Sequence, residues 1–386
     1  MKTILTILSG SYYLALLWVA SFVVSMIIAV LLIPVIIKVS RRKGWLDMPN
    51  QRKVHSIPIP RLGGVAIFTA IITVSLTISI LLKSSELGVL LAGLTIIFGL
   101  GIVDDRVELS AKLKFLFQIG VAVAVSAMGI RIQSLHGLMG VNQLPVVLQY
   151  LLTTIVIVGL INAYNLIDGV DGLAGGLAFI NSLVFALLFL QEGQLIYTLF
   201  SFTLAGAILG FLFFNFRKAK IFMGDGGSLL IGFSMAFLGI VYYNIPLQSM
   251  SNNHLNYYAM VFASMLIPAY DTLRVFAERI LSGKSPFMAD ANHVHHLLLK
   301  MGFNSVKVDA TLYGTNILLI IIAFYLKGVV LEFSLVYLFI VAGLSSELIT
   351  LRMWMINLFA RKELENKLII IKKRNNIMYK HLIEKL

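Results

Sequence analysis

The chain has 386 residues, of which 59% are hydrophobic and only 13% charged, far more apolar side chain than a soluble domain buries. This excludes a soluble enzyme and points to a polytopic membrane protein, in which lipid covers the surplus and each span takes ~20 apolar residues. The net charge of +13 sits beside apolar runs, so it reports topology and anionic lipid and no nucleic-acid partner is expected; cysteine is absent, which removes disulfides, thiolate metal sites and a cysteine nucleophile.

Apolar runs fall near residues 12–39, 63–82, 87–103, 115–130, 146–162, 176–190, 195–214, 228–244, 255–273, 309–326 and 329–350. A cleaved signal peptide fits poorly, because the first run is longer than a typical signal core. The spacing therefore predicts an all-α polytopic membrane protein of about 11 transmembrane helices. Of the 31 Lys and Arg, 27 fall in alternate segments: 38–61, 106–114, 217–220, 274–307 and the tail from Arg352. This asymmetry predicts an N-terminus outside and a C-terminus in the cytoplasm. No repeat or long linker interrupts the chain. Residues 1–351 are expected to form one integral-membrane catalytic domain with its active site on the cytoplasmic face. Residues 352–386 are expected to be a basic cytoplasmic tail, either a helix on the membrane surface or a solvated segment.

Carboxylates at the ends of apolar helices are costly and need a counter-charge. Asp104 and Asp105 close the third run, followed by Arg106. A helix C-terminus disfavours such a pair, which suggests a cation or charged ligand there. In Asn162-Ala-Tyr-Asn165-Leu-Ile-Asp168-Gly169-Val-Asp171-Gly172 the polar residues recur every three positions. On one helix they would drift slowly around one side and offer oxygen ligands of the kind hard cations take. Phe222-Met223-Gly224-Asp225-Gly226-Gly227-Ser228 joins two spans and offers backbone N–H groups for phosphate beside a cation ligand, with the helix expected to begin after Ser228. His293-Val294-His295-His296 lies in a long positive segment. The cluster is too compact for a typical zinc site, so anion binding or proton transfer is expected. The stretch from Asp47 to Gly64, with Arg52, Lys53, His55 and Arg61, reads as a phosphate-binding rim. Pro268, Asp271 and Arg274 read as a kinked helix with an internal ion pair.

Together these features describe a divalent-metal site that handles phosphate at a lipid surface. The motifs, in order from residue 47 to 296, resemble the polyprenyl-phosphate sugar-1-phosphate transferases. The His-x-His-His form is similar to the bacterial undecaprenyl-phosphate N-acetylglucosamine-1-phosphate branch and departs from the His-His-His of the muramoyl-pentapeptide branch. The resemblance implies UDP-GlcNAc and undecaprenyl phosphate as substrates, Mg²⁺ (with Mn²⁺ as a substitute), a bacterial cytoplasmic membrane and a homodimer. It further implies that Asp225 ligates the metal with Asn165, that Asp171 and Phe222 contact the uracil, and that Asp168 supports the nucleotide–metal site. Asp104 and Asp105 match the pair implicated in acceptor activation. Lys53, His55 and Lys114 match groups near the phosphates, and His293, His295 and His296 match a loop that helps bind the diphosphate or sugar. The implied product is undecaprenyl-diphospho-GlcNAc with release of UMP, the first step of a cell-envelope polysaccharide. A same-family enzyme using another UDP-N-acetyl sugar is the nearer alternative. A cation-coupled transporter is the remote one, since it would place its acids near the bilayer midplane.

Overall fold

In hydrocarbon each backbone polar group must be satisfied within its own segment, and this chain does so almost wholly with helices. The computed structural model describes residues 2–48, 57–245, 255–285, 292–326, 329–353, 355, 356 and 358. The helices are α1 (Lys2–Lys43), α2 (Gly63–Leu81), α3 (Gly88–Val107), α4 (Ala111–Ala127), α5 (Val146–Ile167) and α6 (Leu173–Gln191). They continue with α7 (Leu195–Asn215), α8 (Gly224–Tyr243), α9 (Leu255–Leu281), α10 (Val294–Lys300), α11 (Ser305–Tyr325) and α12 (Leu331–Met353). A two-stranded antiparallel ribbon, β1 (Leu46–Asp47) with β2 (Ile59–Pro60), pairs Leu46 with Pro60.

Among the described residues ten helices are long and apolar enough to cross a membrane. The eleventh expected run corresponds to α4, which at 17 residues is slightly short of a full span. The chain is a multi-pass, all-α membrane protein. Two boundaries differ from expectation. Helix α9 runs through Pro268 and on to Leu281, so Arg274 and Arg279 are helical and not in a loop. Helix α8 starts at Gly224, before its glycines and not after them, because a carboxylate from α3 caps it. The chain from residue 359 lies outside the described residues, and with it most of the expected basic tail.

Helix α8 is buried along nearly its whole length and is the axis of the bundle, packed by α2, α3, α5, α6 and α9. Its N-terminal glycines make this close packing feasible. A Cβ on Gly101 of α3 would lie 2.5 Å from the Gly226 Cα, and one on Gly64 of α2 would lie 2.4 Å from the Gly227 nitrogen. Small residues let helix backbones meet where lipid supplies no hydrophobic drive between them. A second layer forms where α1 packs along α7, with α7 in turn against α6. The outward faces carry large apolar side chains such as Leu31, Ile80, Val147 and Phe213, all well exposed, as a lipid-facing surface requires. Helix α12 joins through Tyr270 of α9, whose ring meets Phe339 edge-on at 5.1 Å.

Candidate active site

The C-terminal turn of α3, the first turns of α4 and α8, and the end of α5 meet at one end of the bundle. Gly224 has a φ of 73°, and a Cβ there would lie 2.1 Å from the Arg61 carbonyl oxygen, so only glycine serves at this entry to α8. The Asp105 carboxylate accepts from the backbone N–H of Asp225 (2.9 Å) and of Gly226 (3.1 Å). It thereby satisfies two donors of the first helical turn that have no partner within the helix, from a different helix. Asp104 accepts from the Leu109 N–H at 2.8 Å and pairs with the Lys114 ammonium. Lys114 Nζ also lies 3.4 Å from Asp225 Oδ2, so one cation bridges two carboxylates. On the other side of Asp225, the Asn165 amide donates to Oδ1 (2.9 Å) and to the Ser228 hydroxyl (2.9 Å).

Helix α5 stops at Ile167, so the four polar residues of the Asn/Asp motif do not share one helix. Asn165 is on its last turns, while Asp168 to Gly172 form a turn whose Gly172 has a φ of 88°. Asn162 faces away, donating to Gln118 of α4 at 2.7 Å. The half-buried Asp168 carboxyl is pushed well above the usual carboxylate range by burial and then by the charges of Asp225, Asp105 and Asp171. Asp171 accepts from the Ala219 N–H at 3.0 Å. The Gly172 N–H donates to Asn215 Oδ1 (2.8 Å), and the Asn215 amide donates to the Ile221 carbonyl (2.9 Å). These bonds fasten the 168–172 turn to the segment carrying Phe222, whose own N–H reaches the Pro60 carbonyl at 2.7 Å. Asp309 of α11 faces the same turn from behind, buried, with no donor to either carboxyl oxygen among the described residues.

The histidine segment closes over this turn. His293 Nδ1 lies 2.9 Å from Asp271 Oδ2, and the Val294 N–H donates to Asp271 Oδ1 at 3.0 Å. Arg274 holds Asp271 Oδ1 at 3.0 Å and the Asn292 carbonyl at 2.6 Å. His295 is buried against Gly169, where a Cβ would lie 2.5 Å from Nε2. Burial, and next the neighbouring His296, lower the His295 imidazole to about 3. It is therefore neutral near pH 7, which removes it as a cationic anion-binder and leaves hydrogen bonding as its means of contact. The His296 ring lies tilted against it, with centroids 4.2 Å apart. Lys53 and His55 lie outside the described residues; the nearby Arg61 pairs with Asp47 at 3.1 Å.

The family model of glycosyl transferase family 4 matches residues 87–243. A protein of Bacillus subtilis named "Probable undecaprenyl-phosphate N-acetylglucosaminyl 1-phosphate transferase" is 34% identical over 83% of this chain and 88% of its own length. A decaprenyl-phosphate N-acetylglucosaminephosphotransferase of Mycobacterium tuberculosis is 36% identical over 70% of this chain and 73% of that protein. The undecaprenyl-phosphate alpha-N-acetylglucosaminyl 1-phosphate transferase of Escherichia coli K12 is 29% identical over 69% and 72%. The chain belongs to glycosyl transferase family 4.

As a family 4 transferase it gathers Asp104, Asp105, Lys114, Asn165, Asp168, Asp171, Phe222 and Asp225 within the matched region, while the histidine segment docks from outside it. Among the described residues no three carboxylates or imidazoles converge on one point. Asp225, with Asn165 2.9 Å from its carboxylate, is an oxygen-donor set of the size that Mg²⁺ takes, the rest of whose shell is water and substrate phosphate. The Lys114 ammonium between Asp104 and Asp225 marks a place where the protein favours positive charge. The sequence reading missed Asn215, the bond from Asn165 to Ser228 and the partnership of Asp271 with His293. A lone Asn closing the apolar α7 run was the available signal for the first. The other two arise from contacts between distant segments.

Proposed function

We propose that the chain transfers N-acetylglucosamine 1-phosphate from UDP-GlcNAc to undecaprenyl phosphate at the cytoplasmic face of a bacterial membrane, releasing UMP. What supports this reading is the meeting of Asp225, Asn165, Lys114 and the Asp104–Asp105 pair at one bundle end, in a chain whose relatives are named for this transfer. Most Lys and Arg lie in segments at that end, which favours the cytoplasmic side.

Asp225 and, with its amide turned over to present oxygen, Asn165 would hold Mg²⁺. Bound there, the ion would neutralise charge on the diphosphate. The chain's own residues do the rest. Lys114 supplies a fixed positive charge where the transferred phosphoryl group gains negative charge. Asp171 and Phe222, locked together through Asn215, face the nucleobase, and the histidine segment, with its neutral His295, offers hydrogen-bonding rings to the sugar or diphosphate. A phosphate monoester has its second pKa near ~6, so the acceptor is mostly dianionic at pH 7 and needs little deprotonation. Both Asp105 oxygens are taken by the α8 amides, and Asp104 is held by Leu109 and Lys114. This favours direct attack of the acceptor oxygen on the sugar-linked phosphorus over a phospho-aspartate route.

The test is purified protein with radiolabelled UDP-GlcNAc, undecaprenyl phosphate and Mg²⁺, wild type against Asp225→Asn, scoring labelled lipid and released UMP. Labelled lipid that disappears with EDTA and falls by about two to three orders of magnitude in the folded variant supports the reading. Labelled lipid from another UDP-sugar but not from UDP-GlcNAc removes the donor assignment; no lipid from any donor removes the reaction.

A further inference from the structure

A second feature lies at the same bundle end. It is an open groove of about 490 Å³ between the end of α1 and the segment following α7. Lys38, Arg41 and Arg42 line it from α1, and Lys220 lines it from the facing segment. Three and four residues apart, Lys38, Arg41 and Arg42 share one helix face. Among the described residues none of the four cations has an ion-pair partner. Positive-inside topology requires a number of cations on this side; it does not require four of them to share one groove, where they repel one another. A bound anion relieves that repulsion.

The rest of the groove selects which anion. Its other lining residues, Pro34, Ile37 and Phe214, are apolar, and the same two helices expose the apolar side chains of Leu31, Val35 and Phe213. A free phosphate would leave that apolar surface unused. A molecule with an anionic head and acyl chains matches both halves, and basic pockets between helices on this side of a membrane bind such headgroups. We propose that the groove is a binding site for the headgroup of an anionic membrane phospholipid. The site also touches the candidate active site through backbone: the Lys220 N–H bonds the Phe214 carbonyl at 2.8 Å, and the adjacent Ala219 N–H holds Asp171. An occupied groove thus braces the segment that leads to Phe222 and Asp225.

Binding is measured without reference to any reaction, so its outcome is separate from that of the transfer assay. Full-length protein is reconstituted in nanodiscs of phosphatidylcholine with rising phosphatidylglycerol and released into native mass spectrometry. Two pairs of substitutions are compared, Arg42→Gln with Lys220→Gln and, independently, Lys38→Gln with Lys220→Gln; unchanged melting temperatures confirm folding. Wild type is expected to retain phosphatidylglycerol in preference to phosphatidylcholine. Each pair is expected to bind it roughly 30-fold more weakly, at ~1 kcal/mol per cation removed. Equal retention by wild type and both pairs overturns the proposal. Displacement of phosphatidylglycerol by inorganic phosphate overturns it in favour of a headgroup-only site, and one-for-one displacement by undecaprenyl phosphate overturns it in favour of a subsite for the acceptor.

Discussion

Lys114 is the side chain on which the site's charge balance turns. Its ammonium touches both Asp104 and Asp225, contributed by α3 and α8, and its side chain is 29% exposed, so its removal perturbs charge more than packing. Lys114→Gln is expected to lower the melting temperature, because the buried Asp104 loses its cation, and to cut labelled-lipid formation by the folded protein about 100-fold, a typical loss for a positioned charge acting on a developing one. His295 gives a prediction of a different kind. Its ring is lowered from the usual 6.5 to about 3 in the folded chain. Between those values the unfolded chain binds a proton that the folded chain does not, so stability is highest above pH 6.5 and falls as pH drops towards 3. By pH 5 this one residue costs about 2 kcal/mol of stability. Melting curves at pH 7 and pH 5 are expected to show a smaller loss for His295→Asn than for wild type.

Elements carry the second set of consequences. Helix α9 presents Asp271 and Arg274 to the segment that leads into α10, and both side chains are only 6% exposed. The sequence revealed the ion pair between them, since the residues are three apart on one helix. It did not reveal that the second Asp271 oxygen takes the His293 ring, because that contact joins positions 22 apart in the chain. Asp271→Asn is expected to lower stability by about 3 kcal/mol, as breaking a buried pair does. It is also expected to raise the KM for the sugar nucleotide while leaving that for the lipid acceptor unchanged; equal effects on both would mean that the clamp does not orient the histidines. Helix α3 offers a paired comparison of glycines. A Cβ at Gly101 meets the α8 backbone, whereas one at Gly99 meets nothing within 4 Å. Gly101→Val is expected to cost about 1–3 kcal/mol and most of the activity, by prising Asp105 from α8; Gly99→Val is expected to cost little. Melting temperature and labelled lipid measured on both variants decide it.

At the scale of the whole molecule, hydropathy made most of the bundle legible, because a helix in lipid must be about as long as the hydrocarbon is thick. Errors in reading it concentrated where a helix end is set by another segment. Gly224 to Ser228 reads locally as a loop, and becomes helix only because Asp105 supplies its cap. The Asn/Asp motif has the period of a helix face, yet its glycines let the chain turn after Ile167 and send Asp171 to Ala219. Residue types therefore announced the chemistry of the site, while its geometry came from contacts between segments far apart in the chain.

That long reach of Asp105 bears on how the protein is made. The carboxylate and the two amides it holds are separated by 120 positions or more, and His295 reaches Gly169 from further still along the chain. Membrane insertion begins at the N-terminus, so α3 is in place well before α8 emerges, and α10 follows later. A nascent chain lacks an assembled centre until α10 has been synthesised. Half-built molecules thus carry no complete candidate site.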